Sequence, residues 1–132
     1  MRSPRPSGRG FLFDSRITFT INPQAVVYPD NAGGKINVFG TATCSRVTNQ
    51  VVPLYVRAEQ KQPGQQLGAG AALTSVACIT TNVQGVALWV SAFADYFDGG
   101  KAIVSIEVNN PPSGVALSSA SRPVRLVPYG GR

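Results

Sequence analysis

The chain of 132 residues contains no histidine, two cysteines, one tryptophan and one methionine, and only 14% of it is charged. Without histidine, the Ser-His-Asp and Cys-His constellations and histidine metal sites are excluded, along with the commonest general base near neutral pH. Two cysteines alone cannot complete a four-ligand zinc site. No G-x-x-x-x-G-K-[ST] run occurs, and Gly68-Ala69-Gly70 lacks both the third glycine and the strand-to-helix setting of a dinucleotide loop. The close acidic pair Asp95 and Asp98, in Asp95-Tyr96-Phe97-Asp98-Gly99-Gly100, reads as turn chemistry, because an EF-hand needs several more oxygen ligands at fixed spacing. Asn49, Asn82 and Asn109 all lack the Ser or Thr that a glycosylation acceptor requires. These gaps predict a protein that is not an enzyme and takes no cofactor or metal.

Two further patterns are missing. No window carries a capped helical repeat, and no apolar run approaches the roughly 18 residues of a transmembrane helix. Met1 to Gly10 has charge but no apolar h-region, so no export signal is visible and no membrane insertion is expected.

What is abundant is glycine, with 14 residues, and proline, with 10, a balance suited to many short strands joined by tight turns. The length fits one domain with a single core. The strongest strand signal spans Lys35 to Gln62. Ile36, Val38, Ala42 and Cys44 share one parity against Asn37, Thr41, Thr43 and Ser45, and Val52, Leu54, Val56 and Ala58 repeat the pattern against Tyr55, Arg57 and Glu59. The turn Ser45 to Gln50 separates them, and the two runs read as a strand pair at the centre of a β-sandwich.

Around this pair, Ile17, Phe19 and Ile21 alternate in a first strand that Asn22 and Pro23 end, and Ala25 to Tyr28 is a second short piece. Gly68, Gly70 and the small alanines after Pro63-Gly64 form a weakly specified edge, with strand character returning from Leu73 to Thr80. Val86, Leu88, Val90 and Ala92 alternate with Ala87, Trp89, Ser91 and Phe93, which predicts a central strand and a core position for Trp89. Ala102, Val104, Ile106 and Val108 alternate most clearly. Val115 to Ala120 and Val124 to Val127 read as a last strand broken near Pro123, hence an edge. The expectation is an all-β, immunoglobulin-like antiparallel β-sandwich of seven to nine strands over 15–132, preceded by an extended basic arm over 1–14.

The net charge of +6 is unevenly placed, since Arg2, Arg5 and Arg9 precede the first strand. Phe11, Leu12 and Phe13 follow as an apolar plug that either closes one end of the core or docks on a neighbour. The partner-binding residues expected are Arg2, Arg5, Arg9, Phe11, Leu12 and Phe13.

Gly40-Thr41-Ala42-Thr43-Cys44, Gln60, Cys78 and the late Gly100-Lys101-Ala102 resemble small two-cysteine immunoglobulin-like sandwich modules of exported actinobacterial proteins, over about 90 residues. The chain departs from that type in that no signal peptide is expected from Met1 to Gly10, and from antibody-type domains in placing Trp89 after the second cysteine. Cys44 and Cys78 have two readings. In an oxidising setting they form a disulfide across the sandwich, and in the cytosol they are two small buried thiols.

The function expected by exclusion is a non-enzymatic structural protein of a virion or similar large assembly, of the head decoration or minor capsid type. Its partners would be neighbouring protein subunits in a homo- or hetero-oligomer, reached through the arm. The alternative is a secreted or cell-surface binding module of the actinobacterial type, contacting its partner through Gln62 to Gly70 and Asp95 to Gly100. Nucleic-acid binding by the arm ranks third, because no aromatics are interleaved with its arginines.

Overall fold

A computed structural model describes residues 15–28, 35–62, 65–95 and 100–128. Among them are eight strands and no helix: β1 (Ile17–Ile21), β2 (Gln24–Tyr28), β3 (Lys35–Cys44), β4 (Val51–Gln62), β5 (Gln65–Ala77), β6 (Gln84–Asp95), β7 (Gly100–Val108) and β8 (Ser119–Pro128). The fold is all-β and sandwich-like, as the alternation predicts. One layer is β1-β3-β6 and the other is β8-β7-β4-β5. On one flank β2 joins them, running antiparallel to β3 and parallel to β8; on the other, β5 and β6 pair briefly through Gly68↔Asp95, Ala69↔Ala94 and Gly70↔Ala92. The sheet is therefore mixed and curls back on itself, where the sequence suggests antiparallel pairing alone.

Alternation sets the core. Ile36, Val38, Ala42 and Cys44 of β3, and Val52, Leu54, Val56 and Ala58 of β4, are all buried, joined by Val104, Ile106 and Leu126. Each fully buried aliphatic side chain of this size contributes about 1.5–3 kcal/mol. β3 and β4 do not pair with each other, however. β3 pairs with β6 from Lys35↔Ser91 to Ala42↔Gln84, while β4 lies between β5 and β7. Ser45 to Gln50 crosses between the layers, so the two runs bury their apolar faces in one core from opposite sides.

Three further expectations are corrected. β6 is flanked over its full length by no pair of strands, since β5 reaches only its last residues. Trp89 is not in the core: it keeps 45% of its surface exposed, because the inward parity belongs to Val86, Leu88 and Val90. β8 runs unbroken through Pro123, which pairs with Ile103. Its other side takes β2 only from Arg125 to Pro128, so the ring sits where no ladder donor is needed.

The first edge is shaped by a bulge. Ile21 faces Gly40, but the next pair is Val26↔Asn37, so Asn22 and Pro23 are extruded from the ladder. Asn22 N–H donates to Phe39 O at 2.8 Å and the Asn22 carboxamide oxygen accepts from Gln24 N–H at 3.0 Å. Across the gap the Arg122 guanidinium donates to Ile21 O at 3.1 Å, and Arg125 N–H to Pro23 O at 2.8 Å.

Candidate interaction surface

At one end of the sandwich the chain is fixed at its first described residue. Ser15 is fully buried. Its N–H donates to Gly114 O at 2.8 Å and its carbonyl accepts from Ala116 N–H at 2.9 Å, forming a parallel bridge with Val115. Its hydroxyl donates to Arg46 O at 3.1 Å and accepts from Arg46 N–H at 3.3 Å. A buried hydroxyl left unpaired would cost about 1–3 kcal/mol, so this pairing fixes Ser15 in place.

Beside Ser15 stands the disulfide. Cys44 closes β3 and Cys78 follows β5, with their Cα atoms 5.6 Å apart. Cys78 N–H donates to Gln50 O at 2.8 Å, and Cys78 O accepts from Thr48 and Asn49 N–H, each at 3.0 Å. Asn49 adopts φ 59°, a left-handed conformation that asparagine tolerates. Of the two readings for the cysteines, the bridge is the one formed. Such bridges persist in oxidising surroundings, outside the reducing cytosol. Val47, Val51, Ile79 and Val83, within seven residues of one or other cysteine in sequence, are exposed.

The outer face of β2, β3 and β6 carries the aromatic surface. Trp89 leans across β3 to meet Tyr28 edge-on, with centroids 4.7 Å apart and planes at 70°. Lys35 Nζ lies 5.1 Å from the indole centroid, within cation–π range. Phe39 is exposed nearby, and Asn37 sits directly opposite Trp89. Thr20 and Thr41 share a hydroxyl hydrogen bond of 2.6 Å on the same face. This face is open to solvent at Trp89 and Phe39.

On the opposite outer face, Glu59, Lys101, Ala102, Ile103 and Pro123 line a shallow depression of about 180 Å³. Glu59 is engaged by Arg57 at 3.2 Å, an exposed pair worth about 0–1 kcal/mol. Among the described residues no three metal-ligating side chains converge.

A scan against protein-family models and a search of curated proteins found no match to this chain. Its surface has to be read from its own geometry.

Of the site residues expected from sequence, Cys44 and Cys78 are brought together. Arg2, Arg5, Arg9, Phe11, Leu12 and Phe13 lie outside the described residues, as do Pro63-Gly64 and Tyr96 to Gly99 of the two candidate contact loops. Sequence reasoning missed Trp89 as a surface residue. The signal was present, because Trp89 shares its parity with Ala87 and Ser91, opposite the purely aliphatic set.

Proposed function

We propose that this chain is a non-enzymatic structural protein of a virion or similar large assembly, of the head decoration or minor capsid type, held on neighbouring subunits by Met1 to Asp14. The observation that carries this reading is the anchorage of Ser15. A docking arm transmits its hold to a domain only if the junction is rigid, and Ser15 is buried and bonded through its backbone and hydroxyl to both Arg46 and the 114–116 segment. Phe11, Leu12 and Phe13 would supply apolar anchors, and Arg2, Arg5 and Arg9 charge-assisted contacts to acidic groups. The disulfide suits a particle that leaves the cell, since a chain made with free thiols would oxidise after release. The test is mass-spectrometric detection of the chain in purified particles from its source, together with the position of its gene. Stoichiometric recovery, and neighbouring genes for portal, protease and major capsid, are expected. Absence from particles would overturn the reading.

The bridge also favours a second reading, a secreted or cell-surface binding module of the actinobacterial type. On that reading Trp89 and its neighbours would form the contact surface, and the chain would be recovered from the culture medium or cell envelope with no particle present.

A further inference from the structure

Among the described residues, β6 has no strand partner from Gln84 to Val90 on the side away from β3, and β5 has none from Ala71 to Ala77 on the side away from β4. Bare strand edges recruit further strands, and proteins ordinarily guard them with charge, proline or a bulge. β8 follows that rule, with Arg122 and Pro123 on the stretch that β2 does not reach. The two open stretches do not. Gln-Gly-Val-Ala-Leu-Trp-Val in β6 and Ala-Ala-Leu-Thr-Ser-Val-Ala in β5 hold no charged residue and no proline. Gly85 leaves β6 barest, since a Cβ there would meet nothing within 4 Å.

A segment fitted to such an edge precedes Ser15 in the same chain. Successive residues of an extended strand turn their N–H and C=O to opposite edges. Pro4 and Pro6 share one parity, so both missing donors would fall on one edge of the arm, and Ser3, Arg5, Ser7, Arg9, Phe11 and Phe13 keep their donors on the other. That is the pattern an added edge strand requires. The same parity places Phe11 and Phe13 on one side-chain face. Ser15 is held beside Val115, on the flank of β3 opposite β6. β1 therefore begins on the other side of β3 from the open edge of β6.

We propose that the arm of one copy adds as an edge strand to Gln84–Val90 of a second copy, laying Phe11 and Phe13 against Gly85, Ala87 and the exposed flank of Trp89. This rests on the docking-arm reading and names the partner as a second copy of this chain. Reciprocal exchange would close a two-fold dimer, and one-way exchange would build a row of subunits.

The chain has a single tryptophan, so its fluorescence reports on the site directly. The experiment is sedimentation velocity of the full chain over a wide concentration range, with Trp89 emission read in parallel, for the parent, Gly85→Lys and the double variant F11S/F13S. Gly85→Lys puts a guarding charge into open space and leaves the core untouched. F11S/F13S changes residues outside the described fold. The parent should associate as concentration rises, with a blue shift of Trp89 emission. Each variant should keep its β-type far-ultraviolet spectrum while association weakens at least tenfold. A parent that stays monomeric throughout, or an F11S/F13S chain that associates as tightly as the parent, overturns the proposal. An arm-dependent Trp89 shift in a monomer also overturns it, since the arm would then lie on its own β6. Particle incorporation is not read here, so this pairing and the assembly role can fail separately.

Discussion

Three glycines, two hemmed in by backbone and one open, separate necessity from accident at the residue scale. At Gly40, opposite the bulge, an added Cβ would run into the Thr20 carbonyl, and at Gly70 into that of Ser91. Both obstacles are backbone in a ladder, and neither can rotate aside. Gly40→Ala is therefore expected to cost about 1–3 kcal/mol or more, as overpacking does. Gly85→Ala is expected to gain about 0.5–1 kcal/mol, because it removes backbone freedom without a clash. Urea midpoints for the two variants should move in opposite directions, and equal losses would contradict the geometry. Trp89 teaches a related lesson. Its size suggests a core residue, but its parity places it outside, and parity prevails because a strand offers each side chain only one face.

Among the elements, β3 and β4 were the most legible in the sequence, since each buries a single face and the alternation records that directly. Their neighbours were not legible. Alternation says which face is buried but not which strand lies alongside, so the layer crossing at Ser45 to Gln50 and the parallel β2–β8 pairing left no local trace. β5 looked weak because Gly68, Gly70 and the alanines have poor strand propensity, yet pairing along β4 from Val51↔Ala77 to Gln62↔Gln65 overrides it. The cysteine pair was readable because both residues end apolar runs. The bridge spans a sequence separation of 34, for which loop closure gives about 3–4 kcal/mol. Replacing Cys44 and Cys78 together by alanine should lower the unfolding free energy by about that amount, and an unchanged denaturation midpoint would show that the bridge contributes little.

For the whole molecule, the buried apolar cluster begins at Ile17 and includes residues from every strand described. Removal of Met1 to Phe13 should leave the far-ultraviolet spectrum unchanged. Measured at concentrations too low for association, stability should shift by no more than about 0.5 kcal/mol, the range typical of changes outside the core. A truncated chain that fails to fold would mean that the plug Phe11 to Phe13 belongs to its own core. The candidate site was only partly legible: the sequence marks the arm by composition, but the open edge it would meet exists only once β6 has taken β3 as its single long partner.

The parallel pairing of β2 with β8 also decides how the protein bears load. Strands near the two ends of the chain lie side by side and point the same way, so tension on the termini slides them lengthwise. The Gln24↔Arg125 to Val27↔Pro128 ladder is then strained all at once, whereas a hairpin under tension would open one rung at a time. The bridge from Cys44 to Cys78 adds a stop, withholding the intervening chain from extension. With a separation of 34 residues and at most about 3.3–3.6 Å per extended residue, reduction should release roughly 110–120 Å of further length. In single-molecule pulling from the termini, one abrupt rupture should be followed by that added extension only after a reductant is supplied.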